Sequence, residues 1–329
     1  MIPLVLPQGM VKRALLVGML LLASCFKGGG GATTAPPPKN TAVAKGPDFS
    51  ATIADPVGFL PMDSEIVLGL DVDQVRRSPL WPQLEARVTT AGGAGLTAFK
   101  AICGFDPMTT VHGIMMGIKN LKQQTPDGVI VVRGLDRPRL MGCMTKAQQN
   151  PDHSVVIEDG IVVIAGKSDP TTVAFAFVDA STVVGVIGPT ASKGQLKSVL
   201  TSGAPLRSSP AFGSLLDLTD LRASLWGVLN GASSVFDQAS GMIGMRPKAV
   251  FGSVTLANGL GMKMHLRLET ATQASQIQTM IGGQIGMARA MFDKLDVTTE
   301  DADLVIALAM TDAQLSSMMQ LLGAQLGGP

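Results

Sequence analysis

The sequence predicts an α+β protein: two tandem repeats of antiparallel sheet with packed helices, preceded by a signal peptide and a disordered tether. Three observations carry this. From about Asp63 onward, β-rich apolar runs alternate with segments of helical periodicity. An order of strand, helix, hairpin, helix and strand can be read twice. The first 48 residues differ from everything after them, with a short apolar run behind two basic residues and then a stretch rich in Gly, Pro and Thr. The expected boundaries are 1–24 for the signal peptide, 25–48 for the tether, 49–208 for the first repeat and 209–329 for the second.

Lys12 and Arg13 form a positive region, and Ala14 to Leu22 is apolar but too short to span a bilayer, which takes about 20 residues. Leu22-Ala23-Ser24-Cys25 closes the segment with an aliphatic residue, two small ones and a cysteine. This segment resembles the lipobox signal of bacterial lipoprotein precursors. The resemblance implies a diacylglyceryl group on the Cys25 thiol, cleavage between Ser24 and Cys25, and acylation of the new amino terminus. Two or three chains, at about 0.8 kcal/mol per buried CH2, hold a protein on a membrane where one does not. Phe26, with no Asp in that place, implies by the enteric sorting rule an outer-membrane lipoprotein facing the periplasm or the cell surface. Met10 is an alternative initiator to Met1.

Residues 26–48 contain four consecutive Gly and a triple Pro and almost no large apolar side chain. Such a segment cannot bury enough surface to offset the entropy of ordering, so it reads as a tether.

In the first repeat, Ser64–Leu70 reads as a strand leading into a helix that Asp71 or Asp73 caps. Strands follow at Val111–Lys119 and Gly128–Gly134, the second behind a Pro-Asp-Gly turn, then a helix at Asp136–Ala147. Apolar runs at Ser154–Ala165, Val173–Val178 and Thr182–Ile187 read as antiparallel strands, with turns at Glu158-Asp159-Gly160 and Asp179-Ala180. A short helix spans Gln195–Leu200. In the second repeat, Leu225–Leu229 is a strand, Ser234–Ile243 a helix, and Ala249–Leu256 with Gly261–Leu268 a hairpin around Asn258-Gly259. Thr270 with Gln273 opens a long helix whose apolar stripe is Ile277, Met280, Ile281, Ala288, Met291, Phe292 and Leu295. Leu304–Ala309 is a strand, and Thr311 with Gln314 opens a last helix through Leu315, Met318, Met319, Leu322 and Leu326. The layout, with Cys103-Gly104-Phe105-Asp106-Pro107 before a strand, resembles uncharacterised duplicated α+β envelope lipoproteins of myxobacteria-like species, a resemblance that implies no activity.

Composition narrows the function classes. The chain is 46% hydrophobic and 16% charged, with 19 Met and no Tyr, so its core is aliphatic. Without Lys12 and Arg13, 24 basic side chains face 25 acidic ones, a net of −1. That balance gives no electrostatic ground for nucleic acid as a partner. Gly160 to Gly166-Lys167-Ser168 looks like a phosphate-binding loop, but five residues separate the glycines where four are needed, and most are Ile or Val. Nucleotide is therefore not expected. His112, His153 and His265 share no ligand spacing, so no metal site is expected. No Gly-x-Ser-x-Gly is present, and the single Ser-x-x-Lys, Ser24 to Lys27, falls across the signal-segment boundary, so no catalytic residue is assigned and no cofactor is implied.

Cys103 and Cys143 remain once Cys25 carries lipid. Outside the cytoplasm they form a disulfide or, as the alternative, stay as buried free thiols. The leading reading is a membrane-anchored envelope lipoprotein with a non-catalytic binding or structural domain, whose partner is an envelope protein. The next is a carrier or sensor of an apolar ligand held between the repeats, and an envelope hydrolase comes third.

Overall fold

The structure, a computed structural model, describes residues 55–318 apart from 150–152, 167–170, 203–205 and 290–291. The signal segment and tether, with Ser24 and Cys25, lie outside the described residues, as do the positions of Ala288 and Met291 side chains and the last helix beyond Met318.

The described residues form a single α+β domain around one twelve-stranded antiparallel sheet. In chain order the strands are β1 (Ile66–Asp71), β2 (Gly113–Lys119), β3 (Asp127–Arg133), β4 (His153–Glu158), β5 (Ile161–Gly166) and β6 (Thr172–Phe177). They continue with β7 (Thr182–Gly188), β8 (Leu225–Asn230), β9 (Ala249–Thr255), β10 (Leu260–Arg267), β11 (Lys294–Glu300) and β12 (Asp303–Met310). Across the sheet the order is β11-β12-β10-β9-β8-β1-β2-β3-β7-β6-β5-β4. The sheet thus runs unbroken past the expected boundary at 208/209.

At the centre β1 and β8 pair antiparallel, with Ile66 opposite Leu229, Leu68 opposite Gly227 and Leu70 opposite Leu225. Outward from this seam the neighbours follow the same pattern, β1-β2-β3-β7-β6 on one side and β8-β9-β10-β12-β11 on the other. The registers also agree row for row. Asp71, Gly113, Arg133 and Thr182 stand opposite one another in one half, and Asn230, Ala249, Arg267 and Asp303 in the other. Among the described residues the hairpin β4–β5 has no counterpart in the second half.

Period-two alternation divides the strand residues between two cores. On one face Val67, Val131, Val184, Trp226, Val228 and Phe251 are buried. They lie under a 3-10 turn (Pro56–Phe59), helix α5 (Lys193–Thr201) and helix α6 (Gly213–Asp217), which supply Phe59, Leu196 and Leu216, with Phe212 just before α6. On the other face Ile130, Val132, Val162, Ile164, Phe175 and Val183 pack with Phe99, Leu140 and Met144. Those three come from α2 (Trp81–Cys103) and α4 (Arg137–Ala147). Further along that face, Ala274 and Ile277 of α8 (Ala271–Arg289) cover Leu304.

Helix starts follow the caps. Asp71 accepts from the N–H of Gln74 at the start of α1 (Val72–Arg77), and Asp106 from that of Met108 at α3 (Pro107–Thr110). Thr311 and Gln314 form a reciprocal capping box, the Thr311 N–H donating to Gln314 Oε1 and the Gln314 N–H to Thr311 Oγ1.

Three expectations are corrected. The stripe drawn through α8 was too long: the helix ends at Arg289, and Leu295 belongs to β11, where Leu295, Val297 and Thr299 alternate with Lys294, Asp296 and Thr298. Met280 lies outside the buried stripe, 51% exposed. The single helix expected after β1 is two, because Ser78-Pro79 ends α1 and the 23-residue α2 begins at Trp81, kinked at Gly93 (φ 38°).

Candidate functional site

The site with the most polar chemistry lies where residues before β1 meet the end of β8. Asn230 is buried, and its Nδ2 donates to the Ser64 carbonyl at 2.6 Å while its Oδ1 accepts from the N–H of Ala232. Glu65 accepts from the N–H of Leu121 through one oxygen and from that of Ser234 through the other. One carboxylate therefore ties the β2–β3 turn to the start of α7 (Val235–Ile243). Arg246 closes the same region, donating to the carbonyls of Gly231 and Ser233 and pairing with Asp237. Beside this latch runs an open groove of about 580 Å³ lined by Met62, Glu65, Ser214, Asn230, Lys248 and Arg267 among others.

The charges on its rim are already paired. Arg267 makes a two-pronged bond to Asp303 at 2.7 and 2.8 Å, and Lys248 pairs with Glu269. The Asp303 carboxylate, with burial opposing it, raises the Arg267 pKa further. Two residues along β10, His265 is 5% exposed and stacked on Phe251, with ring centroids 4.6 Å apart. Its Nδ1 is buried without a hydrogen-bond partner, 3.5 Å from Asp303 Oδ2. Burial holds its pKa below the ordinary histidine value, Lys263 adds to that, and Asp303 and Glu300 oppose it.

A second feature is apolar. On the face that carries α2, α4 and α8, Ile66, Leu68, Leu225, Val250, Met262 and Met264 of the central strands are only half-buried. Partly exposed aliphatic side chains spread over four adjacent strands are the material of a protein–protein contact.

The other residues singled out in the sequence fall as follows. Cys103 and Cys143 are brought together as a disulfide, Cα atoms 4.6 Å apart, linking the end of α2 to α4. His112 pairs with Asp73 on the surface at 2.9 Å, and His153 begins β4. The phosphate-loop lookalike is strand β5 up to Gly166, and Lys167 and Ser168 lie outside the described residues. Among the described residues no group of three or more His, Cys, Asp or Glu is placed to hold a metal ion. No helix among them is long and apolar enough to cross a membrane. Sequence reading missed the Ser64–Asn230 latch and the Arg267–Asp303 pair. Partners 166 and 36 positions apart leave no local pattern, although an Arg and an Asp inside strands were a signal that each needed a partner.

Comparison with known protein families, with curated proteins and with solved structures finds no match to this chain.

Proposed function

We propose that this chain is a cell-envelope lipoprotein, exported and held on a membrane through a lipid on Cys25. Its sheet domain then serves as a non-catalytic binding or structural module. The observation that carries the reading is Leu22-Ala23-Ser24-Cys25 behind the apolar run Ala14–Leu22 and the basic pair Lys12-Arg13. The bonded pair Cys103–Cys143 fits an oxidising compartment. The half-buried aliphatic face of the central strands speaks for an envelope protein as partner. The groove beside Asn230, open and rimmed by charge, speaks less for an enclosed apolar ligand.

We further infer that the domain arose from two tandem repeats, 49–208 and 209–329. The support is the register. β1 and β8 are each six residues long, and the third residue of one stands opposite the third of the other. Equivalent strands then follow in equivalent registers on both sides. Phe26 after the modified cysteine favours the outer membrane.

The test is Cys25→Ala in the full chain. Labelling with a fatty-acid analogue and pelleting with membranes should both be lost while the disulfide-bonded domain remains folded. Continued labelling of the variant overturns the assignment.

A further inference from the structure

We propose that the edge of β4, unpaired by any other strand among the described residues, is a self-association surface, where a second copy of this chain adds its own β4 antiparallel about a two-fold axis at Val156. The two ends of the sheet differ. At the β11 end, Gln278 Nε2 donates to the Val297 carbonyl at 3.0 Å and Arg289 Nε to the Leu295 carbonyl at 3.2 Å. Both donors come from α8, and the strand carries Lys294, Asp296 and Glu300. A covering helix and charged side chains are how sheet edges are kept from pairing. At the β4 end, the run Ser154-Val155-Val156-Ile157 has no charged residue, and Val156 is 50% exposed.

The direction of the backbone groups follows from the hairpin. Glu158 stands opposite Ile161, and the two turn residues, Asp159 (φ 52°) and Gly160 (φ 76°), are both left-handed. Residues flanking such a two-residue turn exchange both hydrogen bonds. Alternation then turns the groups of Val156 and Ser154 toward β5 and those of Val155 and Ile157 outward. An independent contact agrees: the Val155 carbonyl accepts from Gln148 Nε2 at 3.2 Å, an exposed bond from the end of α4.

That parity makes the strand self-complementary. A two-fold axis perpendicular to the sheet preserves faces, so only residues of the same face can stand opposite each other. Centred on Val156, it sets Val156 against Val156, Val155 against Ile157 and Ser154 against Glu158. The closely bonded pairs fall on Val155 and Ile157, whose groups point outward, and yield about four backbone hydrogen bonds. The Val156 pair falls at a non-bonded site, where Cα atoms lie about 4.5 Å apart and side chains touch most closely. Ser154 can donate to the Glu158 carboxylate, and no like charges face each other. Pairing stops where Asp159 enters its turn. Gln148 swings aside, at the loss of one exposed hydrogen bond. A strand from another protein would use the same backbone groups but would not bring two Val156 side chains together.

The experiment uses the full chain in its own membrane with Val156→Cys, oxidised without a spacer, and Leu218→Cys as the equally exposed control (56%). A disulfide-linked dimer should form about tenfold faster with Val156→Cys, as its cysteines would sit directly opposite each other. In detergent, capture of one tagged full chain by another should fall about tenfold with Val156→Lys, since like charges directly opposite destabilise a strand pair. The melting transition of that variant should not move, because the site is half-exposed. Cross-linking no faster than the control, cross-linking only to a different protein, or capture that survives Val156→Lys each overturns the proposal.

Discussion

Gly69 is the position at which the β1–β8 seam can be broken with one methyl group. It stands opposite Trp226, and a Cβ built on it would lie 2.1 Å from Cε2 and 2.2 Å from Nε1 of the indole. Carbon atoms in contact sit about 3.5–4.0 Å apart, so either the indole or the strand must move by roughly 1.5 Å. The strand has little room, since Gly69 is also paired with Met115 on β2. The indole is 2% exposed and packed in the core with Val67, Val228 and Phe251. Displacing a buried aromatic of this size costs about 3–5 kcal/mol, judged from large-to-small truncations. Replacing Gly by Ala in a strand returns roughly 0.5–1 kcal/mol, which leaves a net loss of about 2–4 kcal/mol for Gly69→Ala.

The assay is guanidinium unfolding followed by far-UV circular dichroism, repeated on a Trp226→Ala background. There the obstacle is gone and Gly69→Ala should be neutral or slightly stabilising, so the coupling between the two sites should exceed about 2 kcal/mol. A cost below about 1 kcal/mol for Gly69→Ala, or the same cost on both backgrounds, would refute the role given to this contact.

Two further outcomes are expected. Cys103→Ala with Cys143→Ala should lower the unfolding free energy by about 4 kcal/mol in the chain-entropy model, because the bridge spans 40 positions; a loss below about 1 kcal/mol in denaturant unfolding would mean that the bridge closes no costly loop. His265 gives a pH dependence of definite sign. Its folded pKa lies below the ordinary value, so the unfolded chain binds the proton first, and stability falls as pH drops below about 6.5 toward the folded value. His265→Phe should flatten the change in urea midpoint between pH 7.5 and 5.5, and an unchanged slope would show that His265 does not set it.

Where an element is specified by its own residues, the sequence made it legible. Short runs of Val, Ile and Met mark β2, β3 and β7, and Asp71, Thr270 and Thr311 mark helix starts through side chains that accept from backbone N–H groups three residues on. β11 was missed because an edge strand buries little: Lys-Leu-Asp-Val-Thr-Thr-Glu has the right period but few apolar residues, and Leu295 continues the spacing of the helix before it. The extent of α2 was hidden by Ala91-Gly-Gly-Ala-Gly95, a composition that reads as a break and yields only a kink at Gly93. The joining of the halves could not be read at all. β1 and β8 are separated by more than 150 positions, and the Ser64–Asn230 latch exists only after they pair. For the candidate site, Cys103 and Cys143 could be read as a disulfide or as two buried free thiols, whereas the Glu65 carboxylate that holds two loops looks in sequence like any acidic residue beside a strand.

On the repeat reading, the seam also records how two equivalent units became parts of one chain. A strand paired with an identical copy about the Leu68–Gly227 position would present each flanking contact twice. Here the two flanking contacts on the buried face differ: Gly69 faces Trp226 on one side, and Val67 faces Val228 on the other. One side joins the largest residue to the smallest, and the other joins two of middle size, so each side fills its space in a way the other cannot. A first half paired with another first half would set Val67 against Gly69 twice and leave two gaps. A second half paired with another second half would set Trp226 against Val228 twice and overfill both. Packing at the seam therefore favours the union of one half with the other over either self-pairing, since voids and overfilling each cost stability. The edges complete the division. The centre of the sheet is committed to the other half of the same chain and the β11 end is capped by α8, so among the described residues β4 is the edge left for the pairing proposed above.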